Sequence, residues 1–426
     1  MKNLVLLFFL FSTLTTCSKK PIDLNNEAII LKLEIEANGT VVPVHFQPGS
    51  FSATITLPYG SKEIKINTLW LSEGASSSKK EGYIFVVGTT PAQLTITSES
   101  KNTSNIYTVS YNLDEYTPIV LKHGLLKVSG NKIVNKNNES VSLAGNSFFW
   151  SNDEWGGERY YKSEVVSWLV KDWKTTIIRA AIGVDDPGGY MFNPQANKAR
   201  LKTLVDAAIK EGIYVIIDWH SHYAHLYPDE AVAFFQEMAS TYGAYDNIIY
   251  EIYNEPKFID KSAANDGKFA TWDAHIKPYA EKVISAIRAI DPDNLIVVGT
   301  GEWSQKVDDA AKNPITTHQN IAYVLHFYSV HHKQWLRDRA SAAISKGLPI
   351  FVSEWGSVGY TQNDPETDLW MKWCKDNKMI HLNWAVNDKS EEWSVVKQNA
   401  STTGNWSEND LTEAGKLAKR IISTWK

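Results

Sequence analysis

Apolar and polar residues alternate with a period of two through the first quarter of the chain. Ile29 to Glu36 alternates, and so does Ser52 to Gly60. Glu63 to Ile66, Tyr83 to Val87, Gln93 to Thr97 and Ile106 to Tyr111 have the same character, with turn residues between them at short intervals. The pattern predicts a small all-β sandwich over residues 25–118. Within it, Trp70 and Tyr83 read as packing aromatics, with sugar contact as the alternative.

From about residue 119 the rhythm changes. Leu126 to Ser142 reads as a hairpin turned on Gly130-Asn131. Eight apolar runs follow: Leu143 to Phe149, Thr176 to Ile182, Tyr214 to Trp219, Ile248 to Tyr253, Leu295 to Thr300, Ile321 to Phe327, Pro349 to Ser353 and Ile380 to Ala385. Between them lie helical patterns at Glu164 to Trp173, Ala196 to Glu211, Glu230 to Tyr242, Ile276 to Ile290, Lys333 to Lys346 and Glu366 to Asn377. Lys306 to Lys312 is weaker, and Leu411 to Trp425 closes the series. Strands alternating with helices over about 300 residues predict an α/β fold, a (β/α)8 TIM barrel at 119–426. A doubly wound sheet is the alternative, but no Gly-rich phosphate loop follows the first run.

A barrel gathers its chemistry at the C-terminal ends of its strands. Two of the runs lead into a glutamate there, in Asn254-Glu255-Pro256 and in Glu354-Trp355-Gly356. Two carboxylates delivered by two strands are what hydrolysis of a glycosidic bond requires. The other runs end in polar or aromatic residues: Arg179, Asp218-Trp219-His220, Trp303, His326-Phe327-Tyr328 and Trp384. Such convergence on one face is hard to explain as core filling.

Composition narrows the partners. The chain has 426 residues and a net charge of −5, with no basic run, which argues against nucleic acid. Sixteen tryptophans are many; excess tryptophan is often core packing, but the ring also stacks on sugar faces. Two cysteines, Cys17 and Cys374, make no disulfide framework, and Cys374 reads as a small buried helix residue. Met1-Lys2-Asn3, the apolar block Leu4 to Phe11 and Leu14-Thr15-Thr16-Cys17 form a secretory signal too short to span a bilayer. Its ending resembles a bacterial lipoprotein lipobox. The resemblance implies a signal over residues 1–17, acylation of Cys17, export, and membrane contact through a lipid anchor alone. Ordinary signal cleavage near this point is the alternative.

The ordered strand-end set resembles glycoside hydrolase family 5 of the bacterial endoglucanase (cellulase) type. Gly299 to Gln305 and Asn387 to Glu391 carry the likeness further. The resemblance implies a retaining endo-β-1,4-glucanase, monomeric and cofactor-free, acting on β-glucan. In it Glu255 is the acid/base and Glu354 the nucleophile. Substrate contacts fall to Arg179, His220, Asn254, Trp303, His326, Tyr328, Trp384, Lys389 and Glu391. Arg179 and Tyr328 are expected to support an ionised Glu354, whose charge should raise the Glu255 pKa. The family often has a histidine after the first strand, where this chain has Ser147-Phe148-Phe149-Trp150. It often has an aromatic four residues past the arginine, where this chain has Gly183. The preceding sandwich resembles the cadherin-like or immunoglobulin-like modules found before secreted glycosidases. Alternatives are a mannanase, xyloglucanase or licheninase of the same family, or a non-catalytic glycan-binding lipoprotein. A third is a metal-dependent amidohydrolase using His220, His222 and His225 with His326, His331 and His332. Asp185-Asp186 offers an unspecific calcium site.

Overall fold

A computed structural model describes residues 24–37, 39–58, 61–88, 90–113, 118–263, 266–357 and 364–425. The leader with Cys17 lies outside them. The chain divides into two compact units, one ending at Thr117 and the other beginning at Pro118.

The first unit is all β. Its strands are β1 (Ile30–Ala37), β2 (Thr40–Val44), β3 (Ser52–Leu57), β4 (Glu63–Leu71), β5 (Ser76–Ser77), β6 (Ile84–Val86), β7 (Ala92–Thr97) and β8 (Ser104–Leu113). They form two four-stranded sheets, ordered β2-β1-β4-β6 and β3-β8-β7-β5. Pairing is antiparallel except that β3 runs parallel to β8. Alternation places every second side chain inward. Leu33, Ile35, Ile64 and Ile66 of one sheet thereby share a buried cluster with Ile55, Leu57, Leu94, Ile96 and Val109 of the other. Sequence pattern missed β2 and β5, one interrupted by Pro43 and the other two residues long. Trp70 corrects the packing expectation, being 59% exposed with the Lys32 ammonium over its ring, whereas Tyr83, 40% exposed under Lys79, still packs edge-on against Phe85.

The second unit opens with a short helix, Ile119–His123, followed by the hairpin β9 (Lys127–Ser129) and β10 (Lys132–Val134). Eight parallel strands then close on themselves: β11 (Ala144–Phe148), β12 (Ile177–Gly183), β13 (Tyr214–His220), β14 (Ile248–Glu251), β15 (Leu295–Val298), β16 (Ile321–Tyr328), β17 (Ile350–Gly356) and β18 (His381–Val386). The pairing of β11 with β18 closes the barrel and excludes an open doubly wound sheet. Leu126 and Ile133 from the hairpin region join Ile177, Ile216, Ile249, Val297, Val324 and Phe351 in one apolar cluster. This plug fills the N-terminal half of the barrel, each large side chain contributing about 1.5–3 kcal/mol by burial. Helix ends follow the sequence closely. The helix Pro194–Glu211 begins where the Asn193 side chain accepts from the Ala196 N–H, and ends at Gly212, whose φ of +67° only glycine adopts freely. Cys374 is buried on the helix Pro365–Asn377.

Two expected boundaries need correction. Glu354 does not follow its strand but lies within β17, whose ladder continues to Gly356. The side chain of a strand residue leaves backbone pairing untouched, so a carboxylate need not end a strand. β14 stops at Glu251, although Ile252 N–H still donates to Val297 and Gly299 N–H to Tyr253. Among the described residues, no helix is long and apolar enough to cross a membrane.

Candidate active site

Arg179 on β12 is the hub. It is fully buried in the barrel's upper half and donates on every side. Nε and Nη2 reach Glu251 at 2.7 and 3.1 Å, Nη1 reaches Glu354 at 2.8 Å, and Nη2 reaches Asn254 Oδ1 at 2.6 Å and Asp218 at 3.0 Å. Burial alone would depress this guanidinium, but Asp218, Glu251 and Glu354 outweigh it and keep it charged. Because an arginine only donates, the Asn254 amide must turn its oxygen toward Arg179 and its NH2 group away.

Glu354 accepts from Arg179 through Oε2 and from the Tyr328 hydroxyl, at 2.6 Å, through Oε1. Burial and the neighbouring Glu354 hold the Tyr328 phenol well above its ordinary pKa, so it stays a donor. The ladder between β16 and β17 slips between Val324 and His326, which brings His326 level with Glu354. Ser353, the next residue back, gives its hydroxyl hydrogen to Glu251 and therefore accepts from His326 Nε2 at 2.9 Å. That fixes His326 with Nε2 protonated and Nδ1 turned to Glu255 Oε1 at 2.9 Å. One oxygen of Glu255, one of Glu354 and a ring nitrogen of His326 lie within 4.8 Å of one another.

Glu255 also meets His222 Nε2, 3.2 Å from its Oε2. The expected rise in its pKa is not found. Burial pushes the carboxyl up, but hydrogen bonds from His222 and His326 outweigh burial and hold it below the usual range. His326 moves the other way: burial depresses it, and Glu354 and Glu255 more than compensate. The two groups share one proton across a single hydrogen bond, written either as O–H···N or as O⁻···H–N⁺.

His220 donates through Nδ1 to Asp218 at 2.6 Å and stacks flat on Trp384, with ring centres 5.1 Å apart. Burial and the charge of Arg179 keep it neutral. Trp384 begins a cis peptide to Ala385 and packs against Phe149. Lys389 lies over Phe149 at 4.1 Å and pairs with Glu391 at 3.1 Å, joining this aromatic edge. Trp303 lies on the segment that follows β15. Its backbone N–H donates to Pro256 O, and its ring packs on Phe258 and Phe269. It sits in a left-handed run, Glu302, Trp303 and Ser304 all having φ between 52° and 57°.

Several residues in this network escaped the sequence reading. Glu251 had a signal: a carboxylate inside an apolar strand demands a buried cation. Asp218 was visible in its motif but given no role. Burial, against the pull of Arg179, pushes both up to about 7. Ser353 carried no distinguishing pattern, and His222 stood out only as a metal-ligand candidate in His220-Ser221-His222. The space beside Gly183 is also explained. A Cβ there would sit 1.7 Å from Asn152 Oδ1 and 3.0 Å from Trp150, which turns its edge onto His220 at 4.2 Å. The loop after β11 thus fills the place of an aromatic on β12.

The histidines of the metal reading do not assemble. His225 bonds Tyr253 and Ile259, and His332 accepts from the Tyr328 N–H. His220 and His222 are spent on Asp218 and Glu255. The cluster of Glu255, His326 and Glu354 already has Arg179 as its cation. Asp185, offered for calcium, bonds Ser221 and pairs with Lys261 at 3.0 Å.

The sequence model of cellulase (glycosyl hydrolase family 5) matches residues 134–390. The chain belongs to this family. Endoglucanase Z of Dickeya dadantii is 50% identical over 304 residues, 70% of this chain and 66% of that protein. An endoglucanase of Clostridium saccharobutylicum is 40% identical over 310 residues, 70% and 65% of the two chains. This family-5 chain therefore spans just under two thirds of those relatives. A solved structure from Cytophaga hutchinsonii superposes with a TM-score of 0.66 at 45% identity, covering 72% of this chain and 96% of that one. The catalytic domain of Thermobifida fusca endoglucanase Cel5A superposes with a TM-score of 0.64 at 28% identity, covering 72% and 100%.

Proposed function

We propose that the barrel is a retaining endo-β-1,4-glucanase that cuts cellulose or related β-glucans internally. The observation carrying this reading is the approach of Glu255 and Glu354 oxygens to within 4.8 Å. Retaining enzymes hold their carboxyls about 5–5.5 Å apart, whereas inverting ones leave about 6.5–9.5 Å for a water. The names of the endoglucanase relatives support the substrate class. So does the Thermobifida fusca enzyme, solved as a glutamate-to-glutamine form with cellotetraose.

In this reading Glu354 attacks the anomeric carbon while Glu255, protonated in the substrate complex, gives its proton to the leaving oxygen. A glycosyl ester forms on Glu354 and the aglycone departs. Water then attacks the same carbon, Glu255 takes its proton, and Glu354 is released. Tyr328 and Arg179 aim Glu354. Asn254, its NH2 turned away from Arg179, donates to the sugar 2-hydroxyl. His220 and His326 orient, and Trp384 and Trp303 offer flat faces to sugar rings on either side of the cut. Lys389 and Glu391 meet a more distant glucose.

The first unit is proposed as a cadherin-like or immunoglobulin-like spacer, and Cys17 as the lipid-bearing residue of an exported protein. Incubation with carboxymethyl-cellulose, glucomannan, xyloglucan, mixed-linkage glucan and xylan tests the function. Viscosity should fall ahead of reducing ends on the cellulose derivative, and NMR should find β-anomers first. Glu354→Gln should abolish cleavage with the melting temperature unchanged. Wild-type rates in that variant would mean another nucleophile, and preference for glucomannan would move the enzyme to the mannanases.

A further inference from the structure

Both oxygens of Glu255 are occupied by imidazoles, but the two imidazoles differ. His326 is buried and held at both ends, by Ser353 on one nitrogen and Glu255 on the other. His222 is on the loop after β13 with its side chain 24% exposed, and Glu255 is the one hydrogen-bond partner of its ring among the described residues. Its ring also lies beside two aromatic rings, Trp150 at 5.6 Å and Tyr223 at 6.5 Å between centres, neither of which hydrogen-bonds it.

A glycosidic oxygen must come within hydrogen-bond reach of the group that protonates it. With Oε1 taken by a fixed imidazole, the site open to that oxygen is Oε2, where His222 stands. We propose that His222 is a placeholder: it donates to Glu255 Oε2 in the empty groove and yields that oxygen to the leaving group when a glucan chain binds. The proposal rests on the reading of Glu255 as the acid/base.

The exchange has a chemical consequence. An imidazole N–H can bond a carboxylate. A glycosidic oxygen has no hydrogen to give, so it can bond Glu255 only if Glu255 carries the proton. Trading one for the other removes a support of the anion and favours the acid. The charges facing Glu255 otherwise stay put: Glu354 on β17, Arg179 on β12, Glu251 on β14, Asp218 and His220 on β13, and His326 with Tyr328 and nearby His332 from β16. Substrate arrival, rather than the resting site, would thus make the acid. His222 is in this sense a positioning residue, acting through Glu255.

The test is the pH dependence of cellotetraose hydrolysis by the full chain. The alkaline limb of kcat/KM reports the free enzyme and that of kcat the complex. His222→Phe keeps a flat ring and removes the donor. It should move the kcat/KM limb upward by about 0.5–1 pH unit while the kcat limb stays in place. His222→Gln, which keeps an N–H, should return the kcat/KM limb toward wild type. If His222→Phe does not fold, His222→Ala gives the same readout. Equal movement of both limbs would mean that His222 stays on Oε2 through the cycle, and movement of neither would mean that it does not act on Glu255. Either overturns the proposal. A wild-type chain inert on every glucan would instead retire the glucanase reading.

Discussion

Ser353 gives its hydroxyl hydrogen to Glu251 Oε1 at 2.6 Å. The bond looks remote from chemistry, since both residues are fully buried. Yet it leaves the serine oxygen only as an acceptor, and so dictates which nitrogen of His326 carries hydrogen. Ser353→Ala should release that choice. The loss of one buried hydrogen bond, about 1–1.5 kcal/mol, converts to roughly tenfold in kcat if it acts through Glu255. Nitrogen NMR of His326 reads the tautomer directly. An unchanged Nε2–H form with unchanged kcat would show that the serine has no hold on it.

The buried acids predict how stability answers to pH. Asp218 and Glu251 sit at about 7 in the folded chain because burial outweighs Arg179. Unfolded, such groups titrate near about 4. Between about pH 4 and 7 the folded state therefore holds protons that the unfolded state has lost, and these two groups make stability fall as pH rises through that window. Asp218→Asn removes one of them. Its melting temperature should decline less between pH 4.5 and 7.5 than that of wild type, whatever its absolute value. An identical decline would mean Asp218 is ionised throughout.

Gly183 tests the repacking of the groove wall. Gly183→Ala drives a methyl into Asn152 Oδ1 and against Trp150. Overpacking of this kind costs about 1–3 kcal/mol, and here it should also displace Trp150 from the edge of His220. The expected outcome is a lower denaturation midpoint and a higher KM for cellotetraose. A fully stable variant with unaltered KM would show that the loop after β11 has slack.

Eight barrel strands could be read from the sequence because their interiors are apolar runs bounded by turn chemistry. Much of the central cluster could be read because its members lie in the C-terminal parts of strands or just beyond them, although Arg179 and Glu354 are inside β12 and β17 rather than at their ends. What could not be read depends on meetings across the barrel. The contact of His222 with Glu255 joins two loops, and together with His326 it reverses the direction in which the Glu255 carboxyl shifts. Ser353 looks like any strand serine until His326 and Glu251 are seen on either side of it. Glu251 was legible in principle, since an acid inside Ile248 to Tyr253 has no business there without a cation. The π-helical turns Leu169–Trp173 and Trp272–Ile276 left no mark in the periodicity either. In the first unit, two runs too short or too interrupted to alternate were missed.

A guanidinium never accepts a hydrogen bond, at any acidity a protein survives. The orientation that Arg179 imposes on the Asn254 amide is thus blind to pH. If the barrel is the glucanase proposed, grip on the sugar and turnover of it answer to different clocks. Titrating the solution should stall the cutting of the chain well before it loosens the hold on it, so an enzyme silenced by alkali would still be found sitting on its polymer.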